Sequence, residues 1–131
     1  MKTPIVFVVD KNPVHLSLIN YYLIMNRFFH VYTFPSGGEC LYRLKRQFIP
    51  DFIITDYNPA DYDGFDFVRT VKEISPYIRV IFFSSIDDPA IALRLFEAGA
   101  SDYVIKTGKP NIGITELIRN IRYLLKEMTL P

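Results

Sequence analysis

Cysteine is nearly absent from the chain, since Cys40 is the single one among 131 residues. It has no partner for an internal disulfide, and no CxxC pair or cluster of cysteine and histidine could hold zinc. This usage fits the reducing cytoplasm, where we expect the protein to be.

Long apolar runs and an excess of charge of one sign are also missing. Runs such as Ile5-Val6-Phe7-Val8-Val9 are far too short to span a bilayer, and no apolar region of a signal peptide follows the first four residues. Fifteen Lys and Arg nearly cancel 14 Asp and Glu, so no overall field attracts nucleic acid or an anionic membrane. We expect a soluble protein that binds neither directly.

What the chain does have is enough apolar material for one core, because half of its 131 residues are hydrophobic. A chain of this length can bury most of its apolar surface in a single domain. We therefore expect residues 1–131 to form one domain.

Five short runs rich in Val, Ile, Phe and Tyr are predicted strands. They show little alternation of apolar and polar residues, which favours strands buried on both faces, as in a parallel sheet covered by helices. The predicted strands are 5–9, 31–34, 52–55, 80–83 and 103–105.

Helical patterns separate these strands. Asn12-Pro13 and Ser36-Gly37-Gly38-Glu39 are helix starts, and an apolar stripe from Ile114 to Met128 indicates the last helix. The four helices predicted before the last one are 13–27, 36–48, 64–74 and 89–97. Strict alternation with right-handed crossovers predicts a doubly wound α/β fold, a flavodoxin-like (βα)5 sheet of five parallel strands in the order 2-1-3-4-5.

Polar side chains stand where four of the predicted strands end. Asp10, Asp56, Ser84 and Lys106 follow or close strands 1, 3, 4 and 5. In this fold ligands bind outside the carboxyl ends of the strands, and strands 1 and 3 are neighbours where the strand order reverses. The sequence therefore predicts one crevice with two carboxylates, a hydroxyl and an ammonium.

Other polar residues are better explained as structural. Asp61 and Asp63 are expected to cap helices or form turns, with Asp63-Gly64 opening the next helix. His15 and His30 are expected to lie away from the crevice.

With these residues in place, the chain resembles the receiver domain of two-component response regulators over essentially its full length. The combination of motifs is specific, whereas each alone is weak. The matching stretches are Val8-Val9-Asp10, Asp51-Phe52-Ile53-Ile54-Thr55-Asp56 leading into Asp63-Gly64, Phe83-Ser84-Ser85, and Ala98-Gly99-Ala100-Ser101-Asp102-Tyr103-Val104-Ile105-Lys106.

The resemblance implies a function for each strand-end residue. Asp56 is the expected phosphoacceptor, Ser84 the switch hydroxyl, Lys106 the ligand of the phosphoryl oxygens, and Tyr103 the aromatic residue whose rotamer reports activation. It also implies a histidine kinase or phosphotransfer protein as donor and a downstream protein or effector domain as target. On this basis the chain is a switch rather than a turnover enzyme, the native protein can continue past residue 131, and a homodimer can form through the fourth helix, fifth strand and fifth helix.

A Mg²⁺ ion is implied as well, with Asp10, Asp56 and the backbone carbonyl of Asn58 as ligands. Mg²⁺ prefers hard oxygen donors in an octahedron. Here the family's second acidic residue is replaced by Lys11, whose ammonium is expected to weaken Mg²⁺ binding and can swing inward to pair with Asp10 or Asp56.

Two further departures from the family pattern concern proline. The proline of the loop after the phosphoacceptor stands one place early, in Pro59-Ala60, and the family's Lys-Pro after strand 5 is Lys106-Thr107. A cis bond before a residue other than proline costs about 2.5 to 4 kcal/mol. We therefore predict a trans bond between Lys106 and Thr107.

Two alternative functions follow from these departures and from the fold class. Lys11 favours a degenerate pseudo-receiver, a phosphorylation-independent protein-interaction module. A flavin-binding protein or aspartyl phosphatase is disfavoured. A flavin phosphate would need a loop rich in Ser, Thr and Gly after strand 1, and Asp10-Lys11-Asn12-Pro13 is not such a loop. An aspartyl phosphatase would need a second Asp two places after the first, where Asn12 stands.

Overall fold

The computed structural model describes residues 3–128, apart from the side chains of residues 110 and 111. Strands and helices alternate along these residues, as predicted. They are β1 (Ile5–Val9), α1 (Pro13–Met25), β2 (His30–Phe34), α2 (Gly37–Lys45), β3 (Phe52–Thr55), α3 (Gly64–Ile74), β4 (Arg79–Ser84), α4 (Pro89–Ala98), β5 (Asp102–Ile105) and α5 (Pro110–Met128).

The strands form one parallel sheet in the order β2-β1-β3-β4-β5. This confirms the predicted doubly wound, flavodoxin-like fold. Val9 pairs with Phe34 on one side and Thr55 on the other, so β1 and β3 end side by side. None of the helices over residues 3–128 has the length and hydropathy needed to cross a bilayer.

A hydrophobic core lies on each face of the sheet. Alternate residues of β1 enter opposite cores: Phe7 and Val9 pack on the side of α2 and α3, whereas Val6 and Val8 pack on the side of α1 and α5. Burial on both faces is thus confirmed for β1, and β3 and β4 are buried in the same way.

The prediction of two buried faces was wrong for β2. His30, Tyr32 and Thr33 are exposed, and only Phe34 of this strand is fully buried. The reason is position, because β2 is one of the two edge strands of the sheet and has a neighbour on one side only. The other edge strand, β5, is likewise only partly buried, with Val104 its one fully buried residue.

Helix starts follow the predicted caps. The side chain of Asn12 accepts a hydrogen bond from Val14 N–H (2.9 Å), and Ser36 Oγ accepts one from Glu39 N–H (3.2 Å). Such side-chain oxygens satisfy backbone donors that have no partner within the helix. The capping residues therefore determine where these helices begin.

Two helices end earlier than predicted. α1 stops at Met25 rather than 27 and α2 at Lys45 rather than 48, because Arg27 (φ 71°) and Gln47 (φ 65°) take left-handed backbone conformations. Behind Arg27, the N–H of Phe28 donates to Leu23 O (3.0 Å), the hydrogen bond of a Schellman motif. Glycine usually marks this position, and its absence here removed the signal from the sequence.

Candidate functional site

The carboxyl edge of the sheet holds the predicted site residues in place through backbone hydrogen bonds. Asp56 N–H donates to Val9 O (3.2 Å), and Lys106 N–H donates to Ser84 O (2.7 Å). These bonds extend the strand ladders by one residue. Asp10, Asp56, Ser84 and Lys106 consequently lie at one edge, on four strands.

Lys106 lies between the two carboxylates. Its Nζ is 2.7 Å from Asp10 Oδ2 and 3.9 Å from Asp56 Oδ2. The Asp10 side chain is only 2% exposed, against 21% for Asp56. A carboxylate as buried as Asp10 needs a counter-charge, and Lys106 supplies it.

The carboxylate oxygens differ in what they bind. Asp10 Oδ1 accepts a hydrogen bond from Asn12 N–H (2.9 Å), and Asp56 Oδ1 accepts one from Tyr57 N–H (2.8 Å). Within residues 3–128, Asp56 Oδ2 has no hydrogen bond or ion pair closer than its 3.9 Å approach to Lys106. This oxygen is therefore the least engaged carboxylate oxygen of Asp10 and Asp56.

Ser84 and Tyr103 both contact the loop that follows β4. Ser84 is buried and its Oγ accepts a hydrogen bond from Ile86 N–H (3.2 Å), while Tyr103 Oη–H donates to Ile86 O (2.6 Å). The Tyr103 ring stacks on Phe82, with ring centroids 6.3 Å apart. Burial raises the pKa of the Tyr103 hydroxyl, a hydrogen bond with Ser84 opposes this, and the charge of Asp56 adds to the rise. Tyr103 is therefore a neutral donor near neutral pH.

Thr55 is a buried polar residue of the site that sequence analysis did not single out. Its Oγ1 donates to Asp56 O (3.0 Å), which fixes the backbone at the end of β3. A threonine directly before the strand-end Asp56 was the available signal.

The loop after Asp56 turns tightly. Ala60 takes a left-handed conformation (φ 62°), and its N–H donates to the carbonyl oxygen of Asn58 (2.7 Å). Pro59 O accepts from Gly37 N–H (2.9 Å), and Asp61 Oδ1 accepts from Gly38 N–H (3.1 Å). The loop is thereby tied to the start of α2, and Asp61 acts as the predicted helix cap, though for a helix that precedes it in sequence.

Asp63 caps α3 as predicted, since its Oδ1 accepts a hydrogen bond from Phe65 N–H (2.7 Å). On the far side of the crevice, no cis peptide bond is found between residues 3 and 128, so the Lys106–Thr107 bond is trans. That prediction is confirmed.

The prediction that His15 lies away from the crevice was wrong. Its Nδ1 is 3.4 Å from Lys106 Nζ and 3.8 Å from Asp10 Oδ2. Only a short connection separates β1 from α1, so the first turn of α1 remains at the crevice mouth. His30 is exposed at the start of β2, the opposite end of the strand from the crevice, as expected.

Lys11 is exposed and makes no ion pair or hydrogen bond through its side chain within the part of the chain that the structure describes. The ammonium on Asp10 belongs to Lys106 instead. The inward pairing expected as an option for Lys11 is therefore not the arrangement found.

Three oxygen donors at the crevice are the predicted ligands of a divalent cation. Two carboxylates and the Asn58 carbonyl are the hard oxygens that Mg²⁺ prefers. Two of them are engaged, because Asp10 Oδ2 binds Lys106 and Asn58 O accepts from Ala60 N–H. Over residues 3–128 no group of three His, Cys, Asp or Glu side chains is placed to hold a metal. The donor chemistry fits, provided that Lys106 releases Asp10.

Comparison with known proteins gives a consistent answer. The model of the response regulator receiver domain matches residues 6–119. The two-component response regulator ORR3 of Oryza sativa subsp. indica is 34% identical over 110 residues, which cover 82% of this chain and 83% of ORR3. The transcriptional regulatory protein CreB of Escherichia coli (strain K12) is 29% identical over 107 residues, 82% of this chain and 44% of CreB.

A solved structure agrees. Thermotoga maritima DrrB, described as an OmpR/PhoB homolog, superimposes with a TM-score of 0.78 at 30% identity, covering 96% of this chain and 54% of that one. The chain thus spans less than half the length of CreB and about half that of DrrB.

Proposed function

The chain belongs to the family of response regulator receiver domains, which are signalling modules, and on this premise we propose that Asp56 accepts a phosphoryl group from a phosphohistidine. The donor is a histidine kinase or phosphotransfer protein. One observation carries the proposal: the partly exposed carboxylate of Asp56 has an oxygen, Oδ2, that lies 3.9 Å from the ammonium of Lys106.

The transfer follows from this geometry. Asp56 Oδ2 attacks phosphorus, so that a P–O bond forms as the P–N bond breaks and its electron pair remains on the imidazole of the donor. Phosphoryl transfer needs mainly positioning and neutralisation of the phosphoryl oxygens. The Lys106 stem is long enough to move its ammonium from Asp10 to those oxygens, which makes Lys106 the neutralising group.

The switch is assigned to Ser84 and Tyr103. A phosphoryl oxygen on Asp56 accepts a hydrogen bond from Ser84 Oγ. In the structure Ser84 Oγ accepts a hydrogen bond from Ile86 N–H (3.2 Å), so a shift of Ser84 towards the phosphoryl group also displaces the loop after β4. The same Ile86 carries the carbonyl bound by Tyr103 (2.6 Å). A charge added at Asp56 therefore biases the position of this loop and of the surface formed by α4 and β5.

Asp10, Asp56 and the carbonyl of Asn58 are the residues that would hold a Mg²⁺ ion. When bound, the ion supplies positive charge to the transferring oxygens. Binding requires Lys106 to leave Asp10, and Lys11 adds a second ammonium nearby. We infer a low affinity for Mg²⁺.

The test is intact-mass spectrometry after incubation with a small acyl phosphate, with Mg²⁺ and with a chelator. We expect one added phosphoryl group in the wild type with Mg²⁺ and none in Asp56→Asn. A phosphoryl group that survives in Asp56→Asn, or that maps to Ser84, Ser85 or a histidine, contradicts the assignment.

A second candidate is a pseudo-receiver that binds its partner without phosphorylation. The engaged oxygens of Asp10 and Asn58 favour it, as does Lys11. Folded wild-type protein that gains no mass at any Mg²⁺ concentration would decide for this candidate.

The remaining features of the function belong to the same proposal. The domain assists its own phosphorylation without being a turnover enzyme, acts in the cytoplasm, and passes its signal to a downstream protein or effector domain. A homodimer through α4, β5 and α5 is a further option for that output.

A further inference from the structure

The end of helix α2 carries three exposed cations that have no acidic partner. They are Arg43, Lys45 and Arg46. Within residues 3–128, ion pairs join Lys106 and His15 to carboxylates of the crevice, and none involves the cations of α2. The helix dipole favours cations at this end, but it does not neutralise them. Their charge is therefore available to a ligand.

Aromatic rings hold two of these cations in place. Cζ of Arg46 lies 4.6 Å from the ring centroid of Tyr42, and Cζ of Arg43 lies 5.0 Å from that of Phe48. Arg43 Cζ is also 6.0 Å from the ring centroid of Tyr32, on β2. Contacts between a guanidinium and a ring restrict a side chain that is otherwise flexible. Together with the third cation, these residues form the basic patch: Tyr32, Tyr42, Arg43, Lys45, Arg46 and Phe48.

The guanidinium groups of Arg43 and Arg46 keep their hydrogen-bond donors free. Neither side chain donates a hydrogen bond in the part of the chain that the structure describes. A guanidinium presents its N–H donors as a planar fork that matches the two oxygens of a carboxylate. Tyr42 has the most exposed ring of the patch, and Arg46 covers one face of it, so a nucleobase cannot stack there. A ligand with several carboxylates fits these donors.

The overall charge argues against a large polyanion of phosphates. The formal net charge of the chain is +1. Proteins that hold nucleic acid or an anionic membrane by charge do so through many cations spread over a wide surface. The cations of the basic patch are confined to the end of one helix. This arrangement fits a short acidic segment of a protein.

The free edge of β2 borders the basic patch and offers backbone groups to a peptide. Phe34 O accepts a hydrogen bond from Asp10 N–H (3.2 Å), so Phe34 turns its backbone groups towards β1. Backbone groups alternate in direction along a strand, so Val31 and Thr33 turn theirs to the edge, where β2 has no neighbouring strand. An extended peptide can add to such an edge as a further strand. Tyr32 of the basic patch lies between these two residues, so side chains of the peptide can reach the patch.

We propose that the basic patch and the free edge of β2 form a docking surface for an extended, acidic segment of a partner protein. Carboxylates of the segment bind the three cations of the patch, and its backbone pairs with Val31 and Thr33. The surface is separate from the phosphorylation crevice, because α2 leads back to the start of β3, whereas the crevice lies where the strands end. Docking therefore does not depend on phosphorylation of Asp56.

Fluorescence anisotropy of a fluorescein-labelled peptide of glutamates, titrated with the full chain from micromolar to millimolar concentration, tests the proposal. Binding should weaken as salt is added, since the contacts lie at the surface. Arg43→Ala and Arg46→Ala should each weaken it by roughly three- to tenfold. Arg119→Ala removes an exposed arginine of α5, on the opposite face of the sheet, and should leave the affinity within about twofold of wild type. Circular dichroism confirms that the variants are folded.

The role of the ring beside Arg46 is tested without a change of charge. Tyr42→Leu removes the aromatic face that holds this guanidinium and should weaken binding by roughly two- to fivefold. Tyr42→Phe keeps the ring and should bind the peptide as wild type does. Tyr42 is 56% exposed, so neither change disturbs the core. Equal affinities of the two variants would show that the ring does not position Arg46.

Hydrogen exchange followed by nuclear magnetic resonance tests the addition of a strand. With the peptide in excess, exchange of the Val31 and Thr33 amides should slow. The amides of Tyr32 and Phe34 already face β1 and should change little. Unchanged exchange at Val31 and Thr33 would overturn pairing at the edge of β2.

Other results would overturn the docking surface itself. One is a wild-type chain that does not bind the peptide at millimolar concentration, and another is a loss of affinity in Arg119→Ala equal to that in Arg43→Ala. A third is tighter binding of a single-stranded oligonucleotide, or of vesicles of phosphatidylcholine and phosphatidylserine in equal parts, through the same arginines, since the patch then binds phosphate groups.

Asp56→Asn keeps this proposal separate from the proposed phosphorylation. The variant should bind the peptide as tightly as wild type, whether or not the wild-type chain accepts a phosphoryl group. Weaker binding of the peptide by Asp56→Asn would mean that the peptide occupies the crevice and not the basic patch.

Discussion

At the scale of single residues, the sequence predicted which side chains meet but not how they pair. Asp10, Asp56, Ser84 and Lys106 could be placed together because each ends a strand of a sheet whose order was predicted. The ion-pair partner of Asp10 could not be predicted, because which lysine reaches a carboxylate depends on tertiary packing. Lys106 comes from 96 positions further along the chain, whereas adjacent Lys11 is exposed to solvent.

Lys11→Asp should raise the affinity for Mg²⁺ by roughly ten- to a hundredfold. Two unit charges about 4 Å apart interact by about 4 kcal/mol at an effective dielectric constant near 20, and solvent screening at the exposed Lys11 reduces this. The change removes a positive charge and adds an oxygen ligand. Isothermal titration with Mg²⁺ measures it.

Lys11→Ala is the matched control, because it removes the charge without adding a ligand. Its affinity should fall between those of wild type and Lys11→Asp. If wild type binds Mg²⁺ as tightly as Lys11→Asp, the ammonium has no influence on the crevice and the pseudo-receiver loses its main support.

Cys40 should make stability depend on pH in the alkaline range. Burial raises the pKa of its thiol from 9.0 to about 12. Because the pKa is higher in the folded state, the thiol contributes fully to the free energy of unfolding below its ordinary pKa. This contribution is lost as the pH rises towards the pKa of the folded state. Between these values the loss approaches about 1.4 kcal/mol per pH unit.

Urea unfolding of wild type and Cys40→Ala between about pH 8 and about pH 11 measures this contribution. The difference in the free energy of unfolding should shrink as pH rises, because only the wild type carries the thiol. A difference that stays constant would show that the thiol ionises equally in both states.

At the scale of helices, strands and loops, the starts were predictable and some ends were not. Asn12 and Asp63 mark the starts of α1 and α3, because their side chains accept hydrogen bonds from backbone N–H groups in the first turn of each helix. The ends of α1 and α2 lie at Arg27 and Gln47, residue types that rarely take a positive φ. Their conformation is imposed by the apolar residues that follow, Phe28 and Phe48, which pack against the core.

Gly64→Ala should disturb the loop that carries the phosphoacceptor. A Cβ at this position would collide with the carbonyl oxygen of Tyr57 and lie 2.9 Å from Tyr57 Cδ1 and 3.2 Å from Phe82 Cε1. Backbone must shift, and Tyr57 directly follows Asp56. We expect a loss of about 1 to 3 kcal/mol in the free energy of unfolding, measured in urea, and slower phosphorylation by an acyl phosphate.

Gly108→Ala is the control for this prediction, because a Cβ there meets no heavy atom within 4 Å. Its stability should stay within about 0.5 kcal/mol of wild type. Equal stability of the two variants would mean that the backbone around Tyr57 yields without cost.

At the scale of the whole molecule, the fold was predictable because few topologies satisfy alternating strands and helices with right-handed crossovers. The same topology brings the ends of β1 and β5, which are separated in the sheet by β3 and β4, within reach of one ion pair. Lys106 and Asp10 link them across 2.7 Å. This pair couples the first and last strands to the site, which no local pattern in the sequence indicates.

Lys106→Met should destabilise the metal-free protein by about 3 kcal/mol, because it leaves the buried carboxylate of Asp10 without a counter-charge. Mg²⁺ should then raise the melting temperature of Lys106→Met more than that of wild type. A ligand stabilises the folded state according to its affinity, and in the variant no ammonium competes for Asp10. Lys45→Met, which removes the same charge from the exposed surface of α2, should respond to Mg²⁺ as wild type does. Calorimetry of the three proteins in excess Mg²⁺ and in chelator decides the matter: an equal rise in all three would mean that Lys106 does not occupy the place of the metal.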